Sequence, residues 1–278
     1  MPPGTLFIVA TPIGNLEDVT LRALRVLREV RLIAAEDTRT AKKLLDRHEI
    51  ATPCAALHEH SAPARIDDLV KRLRNGDSIA VISEAGTPGI SDPGRALTDA
   101  AIAAGIAVVP VPGPVAFVAA LSASGLPMER VTFEGFLPSK AAERRTALAA
   151  LAAEPRTMSF YEAPHRIAES LADMRDAFGA DRRAVIAREM TKVHEEFERG
   201  TLGDLAAKWS TREPKGEFTV LVAGAPPAPP ASQSEIEIAL DDAFERGLSV
   251  SEAAREIAGM CGWGRKKVYE IALQMKKK

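Results

Sequence analysis

Residues 6–15, with the sequence LFIVATPIGN, join a short apolar run to a loop that contains proline and glycine. The run includes two β-branched residues, Ile8 and Val9, which is typical of a buried strand. Comparable runs recur along the chain, each followed by a loop and then by a stretch of helical character. The runs are residues 6–10, 32–35, 78–82, 108–111, 157–161, 184–187 and 219–222. This alternation predicts an α/β fold.

The chain of 278 residues is long enough for two domains. Helical stretches lie between the strands, at residues 20–30, where apolar residues recur every three positions, and at residues 65–74. A second half begins near Val115. We therefore expect an N-terminal α/β domain over residues 1–114 and a C-terminal α/β domain over residues 115–224.

The last part of the chain differs in composition. Residues 225–233, APPAPPASQ, predict a semi-rigid linker because proline cannot continue a helix or a central strand. Residues 234–278 predict a small helical module, in which Ser249 and Glu252 have the spacing of a capping box. The sequence Gly262-Trp263-Gly264 breaks the helix that follows, so helix, turn and helix resemble a helix-turn-helix.

This module ends in a basic stretch. Residues 261–278 contain six Lys or Arg and one acid, Glu270. We predict that Arg265, Lys266 and Lys267 contact RNA, because a local basic cluster is the usual electrostatic footprint of nucleic-acid binding. The alternative is a charged surface that only aids solubility.

Charge and membrane patterning exclude several classes of protein. The 36 Lys and Arg are balanced by 38 Asp and Glu. The net charge of −2 therefore gives no general attraction to nucleic acid or to an anionic membrane, and RNA binding needs a local surface. No apolar run reaches the roughly 18 residues that span a bilayer, and the N-terminus lacks a signal-peptide pattern. We expect a cytoplasmic protein without a membrane partner.

The sequence offers no convincing metal site. Cys54 and Cys261 lack the spacing of a disulfide framework or of a zinc site. His58 and His60 could lie on one face of a strand, but the sequence indicates no third ligand for them. We therefore predict that the protein binds no metal.

Loops that follow the predicted strands are the candidate binding elements, because ligands in α/β sheets bind at the carboxyl ends of strands. The loops are residues 11–15, 36–39, 83–94, 112–114, 162–166 and 188–189. In three of them glycine allows a close approach of the backbone to a ligand, and proline fixes the loop shape. Neither a P-loop nor a G-x-G-x-x-G motif is present, which argues against ATP and NAD.

Charged residues in these loops have two interpretations each. Glu36 and Asp37 can bind substrate or act as a general base, or they can cap the helix that begins near residue 38. Arg39, Arg166 and Arg188 are candidate phosphate contacts, because a guanidinium forms bidentate hydrogen bonds with phosphate. The alternative for each arginine is an ordinary ion pair.

Eight strings along the chain are distinctive. They are VATPIGNL (9–16), AEDTR (35–39), SEAGTPGISDPG (83–94), PGP (112–114), FEGFLP (133–138), FYEAPHR (160–166), REMTK (188–192) and KGEF (215–218). In sequence and order they resemble the ribosomal RNA small subunit methyltransferase I family. The resemblance implies a two-domain tetrapyrrole methylase-like fold, with a cleft for S-adenosylmethionine between the domains, in a homodimer.

The resemblance also implies which residues face the cofactor. They lie in the first loop, in the loop at residues 83–94, after the PGP turn and at strand ends of the second domain. Glu-Ala-Gly-Thr-Pro at residues 84–88 stands where the tetrapyrrole methylases carry Gly-Asp-Pro. The implied cofactor residues are Pro12, Ile13, Gly14, Glu84, Gly86, Pro88, Ile90, Val115, Ala116, Tyr161, Glu162, Ala187 and Glu217.

The reaction that the resemblance implies is 2′-O-methylation of a cytidine in the decoding region of 16S ribosomal RNA in the small subunit. A ribose hydroxyl is a poor nucleophile, so a base or a charged group should assist it. The candidate catalytic residues are Glu36, Asp37, His60 and Glu189. The candidate RNA-binding or orienting residues are Arg39, His165, Arg166 and Lys192.

Two other functions remain open from the sequence. A methyltransferase that acts on a small tetrapyrrole such as a precorrin would share the fold, although the basic helical end argues against it. A non-catalytic RNA-binding or ribosome-assembly protein could have kept the fold, although a full set of cofactor loops argues against that. Methyl transfer to RNA separates these alternatives from the main hypothesis.

Overall fold

The computed structural model describes residues 2–58, 62–91, 94–227 and 230–276. The chain separates into two compact units, Met1–Ala225 and Pro226–Lys278. The first unit contains two five-stranded sheets, and the second consists of helices. Among the described residues, no helix is both long enough and apolar enough to cross a bilayer.

The first sheet is parallel throughout, with the strand order β3-β2-β4-β1-β5. Its strands are β1 Leu6–Val9, β2 Leu32–Ala35, β3 Cys54–Ala56, β4 Ile79–Ile82 and β5 Val108–Val111. The helices that follow its first four strands are α1 Leu21–Glu29, α2 Thr38–Arg47, α3 Pro63–Arg74 and α4 Arg95–Ala103. Because the strands are parallel, their carboxyl ends lie at one edge of the sheet.

Helices cover both faces of this sheet. Leu27 of α1 and Leu44 of α2 pack against Ile33 on one face. Leu69 of α3 and Leu97 of α4 belong to the buried cluster on the other face. Burial on both faces explains why β2 and β4, with the sequences LIAA and IAVI, contain no polar residue.

The second sheet is mixed and has the order β6-β7-β10-β8-β9. Its strands are β6 Val131–Phe136, β7 Thr157–Glu162, β8 Arg183–Arg188, β9 Glu196–Thr201 and β10 Phe218–Val222. Only β6 and β7 pair in parallel, and the other neighbours are antiparallel. The helices of this half are α5 Ala116–Ser122, α6 Ala141–Ala150, α7 Ile167–Phe178 and α8 Leu202–Trp209. Trp209 and Phe160 are fully buried in its core.

The second unit contains α9 Gln233–Glu245, α10 Val250–Cys261 and α11 Arg265–Met275. The predicted capping box of Ser249 and Glu252 is confirmed at the start of α10, and Gly262 ends that helix in the left-handed conformation. Ser232 forms a second capping box with Glu235, so α9 begins at Gln233, the last residue of the predicted linker.

All seven predicted strands are confirmed to within one residue, and the predicted helices at residues 20–30 and 65–74 correspond to α1 and α3. The apolar pattern of the sequence does not reveal β3, β6 or β9. β3 has only three residues, and β6 contains a register shift at Gly135, whose φ of 67° breaks the strand pattern. β9, with the sequence EFERGT, is mostly polar because it is an edge strand.

Candidate active site

A cavity of about 350 Å³ lies in the first unit and is lined by residues from both sheets and their loops. This volume is in the range of small-molecule sites. The contributing loops follow β1, β4, β5 and β8, and the ends of β6, β7 and β10 complete the wall. The lining residues are Ile13, Ala85, Gly86, Thr87, Ile90, Ser91, Val115, Ala116, Phe136, Tyr161, Glu162, Ala163, Pro164, Met190, Glu217, Phe218 and Thr219.

Most of the residues implied to face the cofactor meet at this cavity. Those that line it are Ile13, Gly86, Ile90, Val115, Ala116, Tyr161, Glu162 and Glu217. The implied residues that do not line it are Pro12, Gly14, Glu84, Pro88 and Ala187. Ala187 is fully buried in a cluster with Ile13 and Met190, so its side chain packs behind the wall.

Several lining residues are not predicted from the sequence. Ala85, Thr87 and Ser91 belong to the loop at residues 83–94, and their small side chains gave no separate signal. Phe136 ends β6, a strand that the apolar pattern did not reveal. Met190 follows Glu189 in the REMTK string, in which only charged residues were predicted to be functional.

The first loop and the loop after β4 are joined by backbone hydrogen bonds. Thr11 N–H donates to the Gly86 carbonyl at 2.8 Å, and Gly86 N–H donates to the Thr11 carbonyl at 3.1 Å. Gly86 adopts a φ of 79°, which favours glycine. Since both backbone groups of Gly86 are paired with Thr11, this residue shapes the wall of the cavity.

An aromatic cluster forms another part of the wall. Phe117 and Phe133 stack with ring centroids 4.6 Å apart, and Tyr161 contacts Phe133 and Phe136 edge-on. The Tyr161 hydroxyl accepts a hydrogen bond from Phe117 N–H at 3.2 Å. Tyr161 and Phe136 line the cavity, so this cluster fixes the position of two wall residues.

Glu162 and Arg166 form a buried ion pair beneath the cavity. The Glu162 side chain has no exposed surface and accepts hydrogen bonds from Arg166 Nε, Ala163 N–H and the Ser170 hydroxyl. Arg166 also donates to the Leu137 carbonyl at 2.9 Å, and only 16% of its side chain is exposed. This geometry gives Arg166 a structural role and does not support its prediction as a phosphate contact.

Lys192 bridges two carboxylates at the edge of the cavity. Its Nζ lies 2.8 Å from Glu189 Oε1 and 2.8 Å from Glu217 Oε2. Glu189 Oε1 also accepts from Glu217 N–H at 2.9 Å. Burial opposes the ionisation of Glu189, but the hydrogen bonds from Lys192 and Glu217 outweigh it and lower the pKa of Glu189. Glu189 is therefore an ionised, oriented carboxylate at neutral pH.

Asp37 caps the helix that follows β2. Its side chain accepts from Arg39 N–H at 2.7 Å and pairs with the Arg39 guanidinium at 2.7 Å. The side-chain hydrogen bond from Arg39 is the main cause that lowers the pKa of Asp37 to about 2. The N-cap interpretation is confirmed for Asp37. Neighbouring Glu36 accepts from Glu84 N–H at 3.2 Å, which brings the loops after β2 and β4 together.

The other predicted site residues are dispersed. His165 is exposed on a single helical turn after β7, and His60 falls outside the residues that the structure describes. Arg188 pairs with Glu196 at 3.0 Å and donates to the Lys215 carbonyl, which matches the ion-pair interpretation. Among the described residues, no cluster of three or more His, Cys, Asp or Glu side chains could hold a metal ion.

The residues of the second unit that are predicted to contact RNA lie at the start of α11. Arg265, Lys266 and Lys267 are exposed in the first turn of this helix. Lys267 Nζ lies 4.1 Å from the centroid of the Trp263 ring, and Arg265 donates to the Ser251 hydroxyl at 3.3 Å. All three side chains are therefore accessible at the start of this helix.

Comparison with known proteins agrees with this geometry. Residues 5–206 match the family model of tetrapyrrole (corrin/porphyrin) methylases, and residues 230–276 match that of the RsmI C-terminal HTH domain. The ribosomal RNA small subunit methyltransferase I of Pseudomonas aeruginosa is 51% identical, over 99% of this chain and 98% of the relative. That of Synechocystis is 44% identical, over 98% of both chains. The chain belongs to the ribosomal RNA small subunit methyltransferase I family.

Solved structures agree on the fold of the first unit. Diphthine synthase superposes with a TM-score of 0.61 at 15% identity, over 79% of this chain and 90% of the other. Uroporphyrin-III-C-methyltransferase from Thermus thermophilus gives a TM-score of 0.56 at 21% identity, over 79% and 94%. The family model and the full-length relatives confirm the predicted family, fold class and methyltransferase activity, and the family implies S-adenosylmethionine as the cofactor.

Within this methyltransferase I fold, the first loop packs tightly on the REMTK string. A Cβ atom on Gly14 would lie 2.6 Å from Lys192 Cγ and 2.8 Å from the Met190 carbonyl. Asn15 N–H donates to the Thr191 hydroxyl at 3.0 Å. Gly14 is therefore required for this contact, although it does not line the cavity itself.

We expect Gly14→Ala to weaken S-adenosylmethionine binding by about tenfold or more. The added methyl group pushes Met190 and Ile13, which both line the cavity, away from each other, and overpacking of this kind costs roughly 1–3 kcal/mol. Calorimetric titration measures the effect. Gly200→Ala is the matched control, because a Cβ there meets its neighbours at 3.8 Å or more. Equal affinities for the two variants would contradict a role of this contact.

Proposed function

We propose that this chain transfers the methyl group of S-adenosylmethionine to the ribose 2′-oxygen of a cytidine in 16S ribosomal RNA. The observation that supports it most is the cavity at which family strings from both sheets meet. The family resemblance also supports the decoding region as the target and a homodimer as the assembly. A ribosomal substrate supports the cytoplasm as the compartment.

The cavity suits S-adenosylmethionine. Ile13, Ile90 and Val115 would hold apolar parts of the cofactor, and the Glu217 carboxylate would attract its positive charge. When bound, the cofactor supplies a methyl group on a sulfonium for in-line displacement. The chain then contributes by holding donor and acceptor in the geometry of attack, which needs no metal.

We assign the acceptor side of the cleft to the group around Lys192. The Lys192 ammonium can offset the negative charge that develops on the ribose oxygen, because it lies at the cavity edge beside Glu217. Glu189 keeps this ammonium oriented. Asp37, with a pKa of about 2, is a weak base at neutral pH, so Glu36 and His60 remain the predicted candidates for proton removal.

Methyl transfer from labelled S-adenosylmethionine tests the proposed function. The acceptors are small ribosomal subunits from cells that lack this protein, the free 16S RNA and a precorrin. We expect label in the small subunits. Label in the precorrin would instead indicate a tetrapyrrole methyltransferase, and cofactor binding without transfer to any RNA would indicate a non-catalytic RNA-binding protein.

Removal of the second unit is expected to weaken RNA binding but not cofactor binding. A chain that ends at Ala225 keeps every lining residue of the cavity and loses Arg265, Lys266 and Lys267. Each lost phosphate contact should reduce the slope of log affinity against log salt concentration by about 0.7 to 0.9. The full-length Arg265→Ala, Lys266→Ala, Lys267→Ala variant is the control that keeps the unit. An unchanged salt slope in both would make the basic stretch a solubility feature.

A further inference from the structure

The helices on one face of the first sheet are unusually basic. Residues 21–47, which contain α1 and α2, hold eight Lys or Arg and four Asp or Glu, a net charge of +4 in a chain of net charge −2. The opposite face does not share this excess, because residues 63–103, with α3 and α4, hold five Lys or Arg and six Asp or Glu. The charge asymmetry therefore singles out one side of the sheet.

The cations of this face are exposed and partly unpaired. Arg22, Arg25 and Arg28 recur every three residues along α1, about 4.5 Å apart along the helix axis. Lys43 and Arg47 lie one turn apart on α2. Among the residues that the structure describes, no carboxylate oxygen lies within 4 Å of the charged nitrogens of Arg22, Lys43 or Arg47, whereas Arg25 pairs with Glu29.

The two helices lie on the same face of the sheet and adjoin near their C-terminal ends. Leu27 and Leu44 pack in the same buried cluster, and Arg28 of α1 donates to the His48 carbonyl after α2 at 2.9 Å. Both helices start at the carboxyl edge of the sheet. At that edge Glu36 accepts from the backbone of Glu84, which adjoins the cavity.

We propose that this surface, Arg22, Arg25, Lys43 and Arg47 on α1 and α2, binds the sugar-phosphate backbone of the substrate RNA on one side of the methylated nucleotide. The inference rests on the proposed function for its choice of RNA. Guanidinium and ammonium groups bind phosphate oxygens, and this surface adjoins the sheet edge at which the cleft opens. These contacts give affinity and position the RNA strand, but they do not distinguish one base sequence from another.

The test is neutralisation of the three unpaired cations, as Arg22→Ala, Lys43→Ala, Arg47→Ala. The control is Lys71→Ala, Arg74→Ala, Arg95→Ala, which removes three exposed cations from the opposite face. Affinity is measured for a short single-stranded RNA and for purified small subunits over a series of salt concentrations. In the first variant we expect the slope of log affinity against log salt concentration to become shallower by about 2. Its affinity for RNA should fall by about tenfold or more. Its cofactor affinity and melting temperature should stay near those of the control.

The same salt slope in both triple variants would overturn the inference. Competition by polyglutamate as strong as that by unlabelled RNA would also overturn it, because the surface would then fit any polyanion or an acidic protein. RNA binding is measured without methyl transfer. A failure of the proposed reaction therefore appears in the transfer assay with wild-type protein and is distinguishable from a failure of this surface.

Discussion

Gly86→Val is expected to lower S-adenosylmethionine affinity by at least about a hundredfold while the protein stays folded. A β-branched residue resists the φ of 79° that Gly86 adopts, at a cost of roughly 1–3 kcal/mol, and relaxation of that angle breaks both hydrogen bonds with Thr11. The valine side chain also takes space in the cavity that Gly86 lines. Calorimetric titration of the folded variant measures the loss.

Gly89→Val is the matched control for this prediction. Gly89 lies in the same loop with a φ of 84°, but a Cβ there meets nothing within 4 Å and the residue does not line the cavity. It should share the backbone strain and keep its cofactor affinity. Equal losses in both variants would show that loop strain alone is responsible. The titration includes a chelator, and binding that returns only with a divalent ion would contradict a metal-free site.

Arg166→Ala is expected to destabilise the first unit by about 3–5 kcal/mol, because it leaves the fully buried Glu162 carboxylate without its cation. Arg39→Ala should leave the stability near that of the wild type, since 88% of the Arg39 side chain is exposed. Denaturant unfolding measures both. Arg39→Ala should instead reduce methyl transfer to RNA more than it reduces the affinity for S-adenosylmethionine. An Arg166→Ala protein of wild-type stability that fails only with RNA would restore the phosphate-contact interpretation.

The sequence predicts the sheets well where strands are buried on both faces. β2 and β4 stand out because no polar residue interrupts them, whereas the polar edge strand β9 looks like a loop until its pairing with β8 is known. Apolar periodicity reports burial, so an edge strand that is stabilised by ion pairs such as Glu196 with Arg212 gives no apolar signal.

The candidate site is predictable in outline only. Loops after parallel strands converge by geometry, which is why Ile13, Gly86 and Val115 meet at one cavity. Partner choice among charged side chains is not encoded locally. The i,i+4 spacing of Glu162 and Arg166 is consistent with a pair, but burial of the pair depends on the packing of α7. The contact of Gly14 with Met190 joins residues too distant in sequence for any pattern to show.

The chemical position of the transferred methyl group tests the proposed reaction most directly. Small subunits labelled by this protein are digested with alkali, which cleaves RNA through the free 2′-hydroxyl and therefore spares a linkage whose 2′-oxygen carries a methyl group. We expect the label to be recovered in one alkali-resistant dinucleotide that begins with a cytidine of 16S RNA. Label in a base, in an alkali-sensitive nucleotide or in no RNA at all would contradict it.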